Sequence, residues 1–257
     1  MHSKSIKSKK IIIADLDGTL AESKMPLGRD MGKIISSLLR HISFAVITGG
    51  SYTQLQKQFM PGMESSENDS GLYLLPTSGS EMYIFSNGLW KQAYSEKLTK
   101  EEKKRIIDAL DMVISDGTYQ RPDVVYGPII EDRDTQITLS GVGQQAPSEA
   151  KQAWDPDSRK RLAIKAKLEE MIPEFEIRLG GKSSVDITRK GIDKAYGIKK
   201  ITEVLGYKKE EMVFLGDAIF EGGNDYPVMQ CGVESIKVNS VDETKAILRS
   251  FLSEFSE

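Results

Sequence analysis

An α/β fold, with a parallel-sheet core interrupted by an inserted α+β domain, is the class this sequence predicts, and three observations predict it. Short aliphatic runs at residues 11–14, 44–47 and 212–215 read as buried strands. Each ends in Gly, Thr or Asp, and stretches with helical spacing lie between and beyond them. Between the second and third runs, hairpin-like strands alternate with helices, the pattern of an α+β unit. The expected division is a basic tail at 1–10, core at 11–88, insertion at 89–187 and core again at 188–257.

In order, the first strand ends in Asp15-Leu16-Asp17-Gly18-Thr19, two carboxylates one residue apart followed by a turn. Met31, Ile34, Ile35 and Leu38 then recur at helical spacing within 27–40. The second strand ends in Thr48-Gly49-Gly50-Ser51, where Ser51 can cap a helix to about 59 and the glycines allow close backbone approach. Residues 60–71 are polar, a surface loop. Strands are expected at 72–75 and 81–85 around Thr77-Ser78-Gly79-Ser80. Thr99, with Glu101 and Glu102, opens an amphipathic helix to about 115. Residues 124–130 and 135–139 form an expected hairpin around Asp132-Arg133-Asp134, and 141–151 a loop. Pro156 introduces a charged helix to 171, and strands follow at 174–179 and 183–187. A helix from 191 to 205, strands at 212–215 and 236–238 and a helix at 241–255 complete the chain.

In an open α/β sheet, ligands bind beyond the carboxyl ends of the strands, where Asp15 and Asp17 would sit. Carboxylates that converge repel one another unless a cation or a shared proton neutralises them. A hard divalent metal resolves this, and magnesium is the usual one beside phosphate. Four further residues fit one chemistry. Thr48 follows a strand as a phosphate hydrogen-bond donor would, and Lys194 stands at a helix start where it could offset phosphoryl charge. Asp217 closes the third core strand, and Asp225 follows Gly222-Gly223-Asn224. Asp15, Asp17, Asp217 and Asp225 are therefore the candidate metal set.

Size and composition fit this reading. The 257 residues are 39% hydrophobic and 28% charged, ordinary for a globular protein with a real core. A formal net charge of −3 gives no electrostatic reason to expect nucleic acid or an anionic membrane as partner. Cys231 is the one cysteine, so no internal disulfide can form, and a reducing compartment is expected. No apolar run approaches the roughly 20 residues that span a bilayer. The basic leader has no signal-peptide pattern, so a cytoplasmic location is expected.

The strand ending in Asp15-Leu16-Asp17-Gly18-Thr19, with Thr48, Lys194, Asp217 and Asp225 in this order, resembles the four-motif site of haloacid-dehalogenase (HAD) superfamily phosphotransferases. The resemblance implies a Rossmann-like core with an inserted cap. Asp15 would then be the nucleophile that carries an aspartyl-phosphate. Asp17 would protonate the leaving oxygen and then activate the acceptor. Its main-chain carbonyl, with Asp15 and Asp217, would hold magnesium.

Residues 180–188 (Gly-Gly-Lys-Ser-Ser-Val-Asp-Ile-Thr), Gly191-Ile192-Asp193-Lys194 and Gly222-Gly223-Asn224-Asp225 are similar to the eukaryotic-type phosphomannomutase family. The stretch from Ile129 to Gly143 follows that family's cap. By position the resemblance makes Arg133 and Lys151 phosphate contacts, with Ser184 and Asp186 near the sugar and Gly49 beside the transferred phosphate. Gln144 stands where the family has a second cap arginine, and Lys151 where it has another. Lysine cannot make the bidentate fork of arginine to phosphate. Ser78-Gly79-Ser80 replaces a Glu-Asn-Gly.

A mutase must hold a bisphosphate intermediate away from water, and weaker clamping favours hydrolysis. The expectation is therefore a magnesium-dependent sugar-phosphate phosphatase, with phosphomannomutase as the alternative and a non-catalytic sugar-phosphate binder as a remote one. The substrate is a small sugar phosphate. A homodimer through the cap is compatible with the family, but no sequence feature establishes it.

Overall fold

The computed structural model describes residues 6–63, 71–86 and 88–255. Most of the expected loop at 60–71 lies outside them, as do residues 1–5 of the expected tail. The chain divides into two compact units, Met1–Ser95 with Asp193–Glu257, and Glu96–Ile192.

The first unit begins with β1 (Ile11–Ala14), α1 (Arg29–Leu38), β2 (Ser43–Ile47), α2 (Tyr52–Gln58), β3 (Leu72–Leu75), β4 (Glu81–Ser86) and β5 (Leu89–Ser95). The second contains α3 (Lys100–Ser115), β6 (Ile130–Asp132), β7 (Gln136–Ser140), α4 (Ser148–Trp154), α5 (Arg159–Met171), β8 (Phe175–Gly180) and β9 (Ser184–Arg189). The chain then returns to the first unit with α6 (Lys194–Lys200), β10 (Met212–Gly216), α7 (Tyr226–Gln230), β11 (Glu234–Lys237) and α8 (Val241–Glu254).

The first unit is built on a seven-stranded sheet in the order β11-β10-β1-β2-β3-β4-β5. The five strands from β11 to β3 are parallel, whereas β4 and β5 add on antiparallel. Every residue of β1 is buried, because helices cover both faces. Ile12 packs with Val46, Leu215, Leu38 and Leu248 in one cluster; Ile11 and Ile13 pack with Phe214, Ile198 and Val228 in another. Each fully buried aliphatic side chain contributes about 1.5–3 kcal/mol relative to exposure. β1 lies between β10 and β2, so the chain leaves it to one side and later returns to the other. The carboxyl end of β1 is thus a topological switch point.

The second unit has an antiparallel sheet, β6-β7-β9-β8. One face presents Ile137, Leu139, Val185, Ile187 and Ile177 to Ile106 and Leu110 of α3 and Ile164 and Leu168 of α5. The alternate residues, including Gln136, Thr138, Ser140, Ser184 and Asp186, are polar, as the period of two requires.

Five expectations are corrected. The second unit runs 96–192, not 89–187, because β5 pairs with β4 from Glu81↔Ser95 to Ser86↔Leu89 and so belongs to the large sheet. Residues 6–10 are no solvated tail: Ile6 is buried, and Lys9 Nζ reaches Glu234 at 2.8 Å and the Glu210 carbonyl at 2.9 Å. Of the expected strand at 124–130 only Ile130 joins the ladder, since β6 is Ile130–Asp132. Gly127 has φ +77° and Pro128 has no N–H to donate, which breaks the ladder upstream. The expected loop at 141–151 contains the start of α4 after Pro147. The helix expected at 191–205 starts only at Lys194, capped by Asp193, and passes into a π-turn at Ile201–Leu205. Among the described residues no helix is long and apolar enough to cross a membrane.

Candidate active site

Three carboxylates and one lysine meet at the carboxyl end of the parallel strands. Asp15 follows β1, Asp217 follows β10, and Asp225 precedes α7 after a tight loop. Oxygens of all three lie within 4.8 Å of one another. Lys194, the first residue of α6, is fully buried and donates from Nζ to Asp15 Oδ1 and to Asp225 Oδ1, both at 2.5 Å. The other oxygen of Asp225 accepts from the Ala218 N–H at 3.0 Å. Two glycines make room. A Cβ at Gly18, where φ is +85°, would collide with the Asp217 carboxylate, and one at Gly216 with Asp225.

One ammonium does not balance three carboxylates. Burial pushes the Asp15 carboxyl up to about 8; Lys194 opposes this, whereas Asp225 and Asp217 reinforce it. Burial, then Asp225, also raises Asp217. Lys194 is held above its ordinary range because Asp15 and Asp225 outweigh its own desolvation. The cluster therefore carries excess negative charge and offers only oxygen donors, which suits a hard divalent cation such as magnesium.

Asp17 is placed differently. It is half-buried, its carboxylate is not in the three-acid cluster, and its Oδ1 accepts from the Lys24 N–H at 2.6 Å and Gln58 Nε2 at 2.8 Å. Its expected role as a metal ligand is thus corrected for the side chain, which these two donors turn to other use.

Thr48 follows β2 and is buried. Its Oγ1 accepts from the Gly50 N–H at 3.1 Å, which leaves the hydroxyl proton for an oxyanion. A side chain at Gly49 would meet no protein atom within 4 Å, so packing does not demand glycine there, and the space is open to a ligand. The facing turn is strained, with Thr77 at φ +46° and Ser78 at +58°, a conformation that costs about 1–2 kcal/mol per non-glycine residue. Its N–H groups are spent on that loop, Thr77 to the Gly50 carbonyl at 2.8 Å and Ser78 to that of Thr48 at 2.7 Å. These two bonds hold the backbone that presents Thr48 and Gly49.

The remaining candidates all lie in the second unit. Arg133, at the β6–β7 turn, is ion-paired with Glu131, Nε at 2.8 Å and Nη2 at 2.6 Å, and its side chain is only 10% exposed. It is not a solvated hairpin tip. Lys151 is buried within α4. The Gln144 Nε2 is buried and has no hydrogen-bond partner. Ser184 and Asp186 share the polar face of β9, and Asp186 Oδ1 accepts from Thr138 Oγ1 at 2.8 Å. Asp15, Thr48, Lys194, Asp217 and Asp225 are thus brought together at strand ends and helix starts of one unit, and Ser184 and Asp186 on one strand of the other.

Sequence reasoning missed Gln58 and the Lys24 N–H, and it placed the Thr77–Ser78 turn without its left-handed backbone. Glutamines at 54 and 58, four apart on the helix after Thr48-Gly49-Gly50, were the available signal for the first.

A family model described as eukaryotic phosphomannomutase matches residues 31–254. The chain is similar to a phosphomannomutase of Encephalitozoon cuniculi, 28% identical over 242 residues that cover 92% of this chain and 91% of the relative. A Schizosaccharomyces pombe phosphomannomutase is 25% identical, covering 86% of this chain and 85% of its own. Among solved structures, a Plasmodium falciparum IMP-nucleotidase superposes with a TM-score of 0.70 at 17% identity, over 98% of this chain and 71% of its own. A haloacid dehalogenase-like hydrolase from Bacteroides thetaiotaomicron gives 0.63 at 15% identity, over 95% of this chain and 100% of its own. At such identities the two structures share the fold.

Proposed function

The chain belongs to the eukaryotic phosphomannomutase family, and from that premise we propose that it is a magnesium-dependent sugar-phosphate phosphatase working through an aspartyl-phosphate on Asp15. The observation that carries the chemistry is the division between two acids one residue apart. Asp15 is buried, ion-paired with Lys194 and clustered with Asp217 and Asp225. Asp17 stands outside that cluster, held by neutral donors. A nucleophile needs the first environment and a proton carrier the second.

A divalent cation held by Asp15, Asp217 and Asp225, with the Asp17 carbonyl as family resemblance implies, would supply positive charge to the transferring phosphoryl group. The chain's own residues do the rest. An Asp15 oxygen bonds to phosphorus as the ester P–O bond breaks, and Asp17 gives its proton to the leaving sugar oxygen. A water then loses a proton to Asp17 as its oxygen attacks phosphorus and frees Asp15. Lys194 fixes the Asp15 rotamer and offsets charge on the phosphoryl oxygens, while the Thr48 hydroxyl donates to one of them.

Hydrolysis rather than mutation is supported by Gln144, uncharged where the family has an arginine, and by Lys151, which offers a point charge where it has a fork. Family membership favours the second reading, interconversion of mannose 1-phosphate and mannose 6-phosphate. A single cysteine, Cys231, suits the cytoplasm proposed for it. Acid quenching during turnover of a hexose phosphate, followed by peptide mass spectrometry, tests the shared step. Phosphate on the Asp15 peptide, absent from Asp15→Asn, is expected; turnover without it would overturn both readings.

A further inference from the structure

We propose that Gln58 is a positioning residue for the acid–base carboxylate, orienting Asp17 so that Oδ2 alone carries the proton in turnover. The inference rests on the phosphotransfer reading of Asp15 and Asp17 and adds a group that the motif does not contain.

Gln58 closes α2 and is only 4% exposed, between the buried Leu55 and Phe59. A buried amide in such apolar company costs free energy unless it is hydrogen-bonded. Its Nε2 donates to Asp17 Oδ1 at 2.8 Å, and its Oε1 accepts from Gln54 Nε2 at 3.0 Å, one turn earlier on the same helix. An ionised carboxylate only accepts, so the amide must turn its NH2 end toward Asp17. Turning the amide over would break both bonds. The main chain is fixed too: the Gln58 carbonyl accepts from the Leu27 N–H at 2.7 Å, tying the end of α2 to the loop after Asp17.

The consequence for Asp17 is asymmetry. Its Oδ1 accepts two hydrogen bonds, from Gln58 and from the Lys24 N–H at 2.6 Å, which engages both of its lone-pair directions. Oδ2 is left for chemistry. In the first step the proton on Oδ2 passes to the alcohol oxygen as its bond to phosphorus breaks and the Asp15 oxygen bonds to phosphorus. In the second, the acceptor's O–H proton passes to Oδ2 as its oxygen displaces Asp15. Without Gln58, the carboxylate can rotate about its Cβ–Cγ bond and the proton no longer faces the leaving oxygen.

The test compares leaving groups that need a proton with one that does not. For wild type, Gln58→Leu and Gln58→Glu, rapid-quench measurement follows the first turnover of phenyl phosphate, 2,4-dinitrophenyl phosphate and a hexose phosphate. Both variants are expected to lose about 10- to 100-fold on phenyl phosphate and the hexose phosphate. On dinitrophenyl phosphate, whose phenolate departs unprotonated, they should stay close to wild type. Equal losses across all three esters, or no loss, would overturn the assignment. If Gln58→Leu does not fold, Gln58→Glu, of equal size, carries the comparison. A wild type inert toward hexose phosphates but with the aryl-ester split intact would reject the sugar-phosphate reading while leaving Gln58 in its role.

Discussion

The two sheets of this molecule deploy polar residues by opposite means. In the first unit's sheet, β1, β2 and β10 are almost wholly apolar and the chemistry sits just past their ends, where Asp15, Thr48 and Asp217 leave them. In the antiparallel sheet, polar residues alternate along the strands themselves, so Ser184 at the start of β9 and Asp186 within it share one face of the ladder. Strand ends are fixed by topology, and the charged cluster there is mutually dependent: Lys194 bridges Asp15 and Asp225, and no member can change alone. The candidate residues of the second unit make separate contacts: Arg133 pairs with Glu131, and Asp186 accepts from Thr138. On the proposed reading, substitutions in the first unit's cluster should abolish turnover, and substitutions in the second unit should alter substrate preference.

The largest expected effect breaks the cluster. Asp15→Asn removes the nucleophile, and phosphate release should fall by about 10⁴-fold or more with the fold intact by circular dichroism. Retained turnover would place the nucleophile elsewhere.

Lys194→Met should cost both activity and stability. Removing one partner of a buried ion pair destabilises by about 3–5 kcal/mol, readable in urea unfolding. Added magnesium should recover part of that loss by compensating the stranded carboxylates. Chelation of the wild type is expected to abolish turnover and lower the melting temperature, with magnesium restoring both.

Changes in the second unit should be milder and selective. Arg133→Ala is expected to raise KM for hexose phosphates more than for an aryl phosphate, and equal shifts would remove Arg133 from recognition. Gln144→Arg should move product from inorganic phosphate toward hexose 6-phosphate when a hexose 1,6-bisphosphate is supplied.

The smallest effect concerns Arg189 and Glu102, a pair within the second unit at 2.7 Å. Hydrogen bonding from the Arg189 guanidinium, chiefly, holds the Glu102 carboxyl down to about 2 from its ordinary 4.5. A depressed carboxyl contributes stability that is fully present above pH 4.5 and is lost as pH falls through about 2. The pair is partly exposed, so Arg189→Ala should cost under about 1 kcal/mol at neutral pH. That deficit, followed by denaturant titration, should shrink toward zero on acidification; a deficit constant with pH would assign it to packing.

The catalytic half was legible because strand, turn and acid occur together in the chain: the 11–14, 44–47 and 212–215 runs announce their ends within a residue. β5 was not legible, since Leu89-Trp90-Lys91-Gln92-Ala93-Tyr94-Ser95 is mostly exposed and owes its strand to pairing with β4. α4 was hidden by Pro147 and a polar run, and is held by the burial of Lys151 and Trp154. Gln58 was passed over because a glutamine on a helix reads as surface, and the i, i+4 pair with Gln54 does not tell that it is buried against Asp17. Asp17 itself was assigned to the metal with Asp15 because spacing cannot say which way a side chain turns after a strand ends.

The most direct test of hydrolysis is phosphorus NMR of the protein with magnesium, mannose 1-phosphate and a catalytic amount of glucose 1,6-bisphosphate. Growth of the inorganic phosphate signal, with little hexose 6-phosphate, is the predicted result. Accumulation of hexose 6-phosphate without inorganic phosphate would contradict it and make the protein a mutase that clamps its intermediate without the second cap arginine.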